Sequence, residues 1–246
     1  NEHLNGRERW CLWLENISQD EIDLMPKVKS IIEDVRQIRL QSSRPQLADI
    51  PHLFAQITQP ENDNCVIVPR VSSENREYIP NCIINGKIDK VTDSFFTIVT
   101  NSPCIFGVVS SRMHMVWLEN IGGKLETRFQ YSKNIVYNTF PIPTISDKQK
   151  EELNLATLRI LEEREKHSEK TLAQLYDPDK MPEGLREAHR LNDLAVERCY
   201  RSKPFESDEE RLEYLFKLYE QMIEEEQNRG SLFANETKTK KSKKKK

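Results

Sequence analysis

A mixed α/β (α+β) domain followed by an all-α helical domain is the fold class that this 246-residue sequence predicts. Three observations carry the fold part of that expectation. Short β-favouring runs separated by turn residues fill the first 145 positions. Beyond Pro143, apolar residues recur at helical spacing instead. Serine-led capping boxes then open successive segments of the second half. The predicted division is 1–145 for the mixed domain, 146–237 for the helical domain and 238–246 for a disordered lysine-rich tail.

In chain order, residues 8–14 (Glu-Arg-Trp-Cys-Leu-Trp-Leu) read as a short strand rich in β-favouring side chains. Ser18 with Glu21 makes a capping box, and Pro26 suits the first turn of a second helical piece. Ile31, Ile32, Val35 and Ile38 give that piece an apolar face to about Leu40. Residues 41–64 read as loop, punctuated by Pro45, Pro51 and Pro60. Strands are predicted at 65–68, 78–84 and 95–100. Residues 104–121 can be read as strand then helix, but the spacing of Ile105, Val109, Met113 and Val116-Trp117 favours one helix, stopped by Gly122-Gly123. Residues 125–131 alternate like a strand. Ser146 with Gln149 then opens a helix to about Lys166, bearing Leu153, Ala156, Ile160 and Leu161 on one side. A short helix is predicted from Ser168, a longer one from Pro182, and a last one boxed by Ser207 and Glu210.

Composition limits the function classes. No window approaches 18 consecutive apolar residues, so no membrane span is predicted. The polar start carries no signal peptide and no initiator Met, so we expect a piece of something longer, in the cytoplasm. Five widely spaced cysteines without a C-x-x-C agree with reduced thiols. The net charge of −3 is unevenly spread: the tail holds seven lysines, residues 1–145 carry 15 basic against 17 acidic side chains, and residues 146–237 carry 15 against 23. A nucleic-acid role must therefore rest on a local patch.

Catalytic signatures are missing from the sequence. There is no glycine-rich phosphate loop. The five histidines are scattered singly, and His114 and His189 read as core residues. Pro178-Asp179 invites comparison with metal-dependent nucleases, but no Glu-x-Lys or Asp-x-Lys follows before Pro204, so it reads as a turn. No catalytic residue and no metal ligand is expected in this chain. Trp117, Met113 and Phe106 read as core.

One segment carries more information. On a strand over 125–131, Glu126, Arg128 and Gln130 share one face, opposite Leu125, Thr127, Phe129 and Tyr131. Carboxylate, guanidinium and amide are the groups that read cytosine, guanine and adenine edges. Spacing alone leaves a blander reading open, and favours it: an exposed strand face with a weak Glu–Arg pair.

The stretch Ser111-Arg-Met-His-Met-Val-Trp117, continuing through Gly122-Gly-Lys-Leu-Glu-Thr-Arg-Phe-Gln-Tyr-Ser-Lys-Asn-Ile-Val-Tyr-Asn-Thr-Phe-Pro-Ile-Pro143, resembles the C-terminal region of MmeI-type (type IIG/IIL) restriction–modification proteins. Further familial runs are Arg9-Trp-Cys-Leu-Trp-Leu-Glu-Asn16, Val71-Ser-Ser-Glu-Asn-Arg-Glu-Tyr-Ile-Pro80 and Leu172-Ala-Gln-Leu-Tyr-Asp-Pro178, so the resemblance covers roughly residues 7–203. Such proteins join an endonuclease, an adenine-N6 DNA methyltransferase and a target recognition domain. The resemblance implies that this chain is the recognition part, with double-stranded DNA and the covalently linked upstream domains as partners. It implies S-adenosylmethionine and Mg²⁺ for those upstream domains and no cofactor here, because the Asn-Pro-Pro-Tyr-type motif is missing. By position it points to Glu126, Arg128 and Gln130 as base readers, with a second cluster at Asp93 and Ser94 and a weaker third candidate, Glu74, whose place in the Ser-Ser-Glu-Asn-Arg run favours a turn-capping role instead. Gln130 stands where Arg is often found and Asp93 where Asn occurs, so no target base carries over. Arg70, Arg76, Arg112, Lys124 and Lys133 become the expected phosphate contacts. The alternative is a protein-interaction or regulatory module that does not bind DNA.

Overall fold

The computed structural model describes residues 3–6, 10–57 and 64–242, with backbone alone for His3 and 229–242. Packing separates Glu8–Gln59 from a second unit made of Asn1–Arg7 and Pro60–Lys246.

In the smaller unit, α1 (Gln19–Asp23) opens on the predicted box: the Ser18 hydroxyl accepts the Glu21 amide at 3.3 Å and the Glu21 carboxylate accepts the Ser18 amide at 2.8 Å. α2 (Pro26–Leu40) carries Pro26 in its first turn, as expected. At its far end the Arg39 guanidinium donates to the carbonyls of Leu47, Ile50 and Leu53 at 2.7–3.0 Å, pinning a 3-10 turn over Pro45–Asp49 against the helix. Residues 10–14 carry no regular secondary structure and pair with none of the described strands, so the predicted strand does not form there. β-favouring side chains make a strand only where a partner edge accepts the backbone, and none does. Glu8 and Arg9 lie outside the described residues.

In the larger unit, β1 (Asn64–Pro69) is the centre of an antiparallel sheet ordered β3-β1-β4, with β3 at Cys82–Asn85 and β4 at Phe95–Val99. Cys65–Val68 is buried on both faces, at most 3% exposed. The chain continues past Arg70 into β2 (Val71–Ser72), which edges a second sheet ordered β2-β6-β5, with β5 at Gly123–Leu125 and β6 at Arg128–Gln130. The strand predicted from Tyr78 begins only at Cys82. Residues 78–81 turn inward instead, and the Asn81 amide donates to Val109 O and Ser110 Oγ.

The single helix expected over 104–121 is two, α3 (Pro103–Val109) and α4 (Arg112–Ile121). Ser111 breaks the run: its backbone is extended (φ −90°, ψ 160°) and its hydroxyl accepts the His114 amide, capping α4. α3 lies so close to its neighbours that a Cβ on Gly107 would meet Asn192 Oδ1 and Thr157 Oγ1 at 2.8 Å. Helices then follow: α5 (Asp147–Glu165) on the Ser146–Gln149 box, α6 (Leu172–Leu175), α7 (Glu183–Tyr200) and α8 (Asp208–Ser242). α6 is boxed by Thr171 and Gln174 rather than starting at Ser168. A mixed region followed by a helical one is thus the observed class. The packing does not break at 145, because one buried cluster runs from Val66, Phe106 and Trp117 through Leu153 and Ile160 to Leu185 and Leu215. The α8 backbone enters the stretch expected to be a disordered tail, in keeping with the fair helix propensity of lysine. Residues 243–246 lie outside the described ones. No helix among the described residues is long and apolar enough to cross a membrane.

Three buried titratable groups link the fold to pH. His114 accepts or donates at 2.9 Å with the Tyr131 hydroxyl, and burial lowers its pKa to about 3. His189 meets the Tyr176 hydroxyl at 2.7 Å, and burial likewise holds it well below 6.5. Asp193 takes the Arg112 amide and the Tyr78 hydroxyl, both at 2.7 Å, yet burial outweighs these bonds and raises its pKa to about 7. At about pH 5 to 6, unfolding lets both histidines take up a proton and makes Asp193 release one. Net uptake of about one proton means that stability rises with pH in this window. Asp193→Asn removes the opposing release, so the slope of unfolding free energy against pH should steepen towards that of about two protons. Denaturant titrations at a series of pH values check this; an unchanged slope would contradict the protonation of Asp193.

Candidate nucleic-acid interface

The segment 123–130 is a hairpin, not one strand. Leu125 pairs with Arg128, which leaves Glu126 and Thr127 as a two-residue turn. Glu126 has φ +60°, the one positive φ among described non-glycine residues. Positive φ at the first turn position alone is the pattern of a type II′ turn, where glycine is usual. A non-glycine residue held there costs on the order of 1–3 kcal/mol and persists only where its surroundings enforce it. Two contacts do so. The Thr127 hydroxyl donates to Glu74 Oε1 at 2.5 Å, and Arg128 Nη2 donates to Glu126 Oε2 at 2.8 Å. The Thr127 bond, helped by the Arg128 and Lys124 charges, holds the Glu74 carboxyl below its ordinary pKa.

This geometry corrects the expected reading face. Glu126 sits at the tip, with its side chain 77% exposed, rather than on a strand shared with Arg128 and Gln130. Arg128 and Gln130 do share a face. Arg128 bonds Glu126 through one terminal nitrogen, while its Nε is buried with no acceptor among the described residues, so its fork is only part-satisfied. Gln130 is exposed and faces Gly123 across the ladder, where a Cβ would come within 3.2 Å of Gln130 Oε1. Glycine therefore leaves that amide room to lie over β5.

The second predicted cluster comes close through one backbone. The Arg70 amide donates to Ser94 O at 3.0 Å, and the Arg70 carbonyl accepts the Tyr131 amide at 2.8 Å. Asp93 and Ser94, both exposed, thus flank the junction that leads into β2 and the hairpin. The exposed Arg70 stacks its guanidinium 4.3 Å from the Phe96 ring centroid. Lys124 on β5 and Lys133 just after Tyr131 are also exposed. Arg70, Lys124, Arg128 and Lys133 give four cations against the three acids Glu74, Asp93 and Glu126.

Two expected phosphate contacts do not join them. Arg112 is committed to carboxylates: Nη1 meets Glu119 at 3.0 Å and Nε meets both oxygens of Asp208 at 3.1–3.2 Å, with only 22% of the side chain exposed. Arg76 is half-buried, and the charge acting on it is that of Asp177. Ser73, not Glu74, caps the 73–76 turn, its hydroxyl accepting the Asn75 amide and its carbonyl the Arg76 amide. Thr127 and Leu125 were missed as parts of the site, because Glu-Thr carries no hairpin signature of the Asn-Gly kind. Among the described residues, no three His, Cys, Asp or Glu side chains are grouped to hold a metal ion. Trp117, Met113 and Phe106 are core, at most 1% exposed.

The family model of the MmeI target recognition domain matches residues 1–144, and that of the MmeI C-terminal domain matches residues 145–225. DNA methyltransferase A of Bacillus subtilis (strain 168) is 40% identical over 227 residues, which is 91% of this chain and 25% of that protein. A solved structure of the type IIL restriction–modification enzyme MmeI in complex with DNA shares the fold with a TM-score of 0.85 at 38% identity, over 91% of this chain and 30% of MmeI. The chain thus spans about a quarter of the curated relative it matches.

Proposed function

The chain belongs to the MmeI family, of which it carries the target recognition and C-terminal domains, and from that premise we propose that it reads DNA sequence for the adenine-N6 methyltransferase and endonuclease domains of a longer protein. The observation that supports this most is the hairpin tip, where Glu74, through Thr127, and Arg128 brace Glu126 in a backbone conformation it would not choose. Strain kept at an exposed tip, beside a part-satisfied arginine fork, suits a group aimed at a ligand better than a decorative ion pair.

In this reading a two-stranded ribbon enters the major groove, which is wide enough to admit one. Arg70, Lys124 and Lys133 contact phosphates and fix register. Arg128 bridges O6 and N7 of a guanine, Glu126 accepts from the amino group of a cytosine, and Gln130 takes the amide role towards adenine. Asp93 and Ser94 form the second contact cluster. The linked methyltransferase extrudes the target adenine from the stack. S-adenosylmethionine and Mg²⁺ are assigned to the linked domains, and the work of this chain is binding.

A duplex-binding titration in salt tests the reading. Affinity should fall steeply and log-linearly with salt, and neutralising Arg70, Lys124 or Lys133 should each lower the slope by about one. Arg76→Gln should leave the slope unchanged. Absence of any salt-dependent DNA binding would overturn the reading in favour of a protein-interaction module.

A further inference from the structure

We propose that Leu125 is a further specificity-determining residue, which contacts the C5 methyl group of a thymine next to the base read by Arg128. This rests on the base-reading function proposed above. A continuous strand would put Leu125 opposite Arg128 and Gln130. The two-residue turn reverses that parity. Residues paired across a ladder project to the same face, so the Leu125↔Arg128 pair puts leucine and arginine side by side. Gly123 pairs with Gln130 and contributes no side chain, and Val71 flanks Gln130 on the other edge.

The two faces of the sheet differ, although Lys124, paired with Phe129 on the edge strand, is exposed. Phe129 and Ser72 turn into the core, at 8% and 4% exposed. Leu125 lies on the other face and is 44% exposed, beside Arg128 and the exposed Gln130. Its side chain is thus an apolar group set within a row of polar ones, on the face proposed to meet base edges. Paired side chains on a ladder are about 5 Å apart against a base step of about 3.4 Å, a difference that two side chains of unequal length can span. In the major groove the thymine methyl is the apolar group that distinguishes one base edge from the others. A leucine beside a guanine-reading arginine therefore matches a thymine at the adjoining step.

The test selects the preferred duplex of the full chain from random sequence, then replaces each thymine in turn by deoxyuridine, which lacks only that methyl. Burial of one methyl-sized group predicts about a fourfold loss of affinity at one thymine position. Leu125→Ala should abolish the difference at that position while keeping the preference at the position read by Arg128. Arg128→Ala should do the reverse. A selected sequence that contains no uridine-sensitive thymine, or a Leu125→Ala chain that keeps the sensitivity, overturns the assignment and leaves base reading standing. A chain with no sequence preference at all overturns both.

Discussion

Arg128→Ala is expected to erase the base preference at one position of the bound sequence and to weaken the preferred duplex on the order of 10- to 100-fold, the value of one bidentate arginine–guanine contact. Binding to unrelated duplex should change far less, since the phosphate contacts remain. The reason for a large effect is that Arg128 serves two partners. It presents its fork on the solvent face of β6, and it holds the tip carboxylate of Glu126 at 2.8 Å. Truncation removes one proposed reader and releases the other. Glu126→Ala should therefore be non-additive with Arg128→Ala, because residues in one ion pair share their effects. Exchange of the two residues should alter the preferred base at the same position. Competition binding against duplexes varied one base pair at a time measures all three, and an unaltered preference in Arg128→Ala would refute the assignment.

Arg211→Ala should lower the stability of the larger unit by about 3–5 kcal/mol, the usual cost of stranding one member of a buried ion pair. Glu197 is 2% exposed, and both its oxygens are used: Oε1 accepts from Arg211 Nε and Nη2 at 2.8 and 2.6 Å, and Oε2 accepts the Phe205 amide at 3.2 Å. Arg211 Nη1 passes to Asp208 at 3.0 Å, Asp208 to Arg112, and Arg112 to Glu119. This alternating chain of charges ties α7, α8 and α4 together. Without Arg211 the Glu197 carboxylate has one amide left and no counter-charge. A shift of the urea midpoint with an unchanged m-value is the expected readout. Replacing Glu197 by Gln in the same chain should recover part of the loss; if the single variant lost less than about 1 kcal/mol, the pair would be no stronger than a surface salt bridge.

The same network explains why Arg112 misled the sequence reading. Its neighbours Ser111, Met113 and His114 say nothing about its partners, because Asp208 lies 96 residues on and Asp193, which receives its amide, 81 residues on. Lys124, Lys133 and Arg70 were legible as exposed cations because no distant carboxylate claims them among the described contacts. The trio proposed to read bases was picked out by resemblance, and its arrangement was not legible in the sequence. Thr127 reaches Glu74 across 53 residues, and that contact accompanies a turn for which the local Glu-Thr pair carries no propensity. The missing strand at 10–14 has the same cause in reverse, since suitable side chains found no edge to join.

By itself the sequence determined what depends on neighbours three or four residues apart. The capping boxes at Ser18 and Ser146, the proline start of α2 and the apolar stripes of α5 and α7 are all contacts within one helical turn, so their residues suffice to specify them. Tertiary structure alone decided two further features, the commitment of Arg112 to carboxylates and the hairpin that turns Leu125 onto the face of Arg128, whereas the break between α3 and α4 joins the local Ser111 cap to the bond from the Arg112 amide to distant Asp193. Each depends on groups far off in the chain that supply a hydrogen bond, a counter-charge or a ladder partner. A buried amide or a tight turn is stable only once those partners are in place.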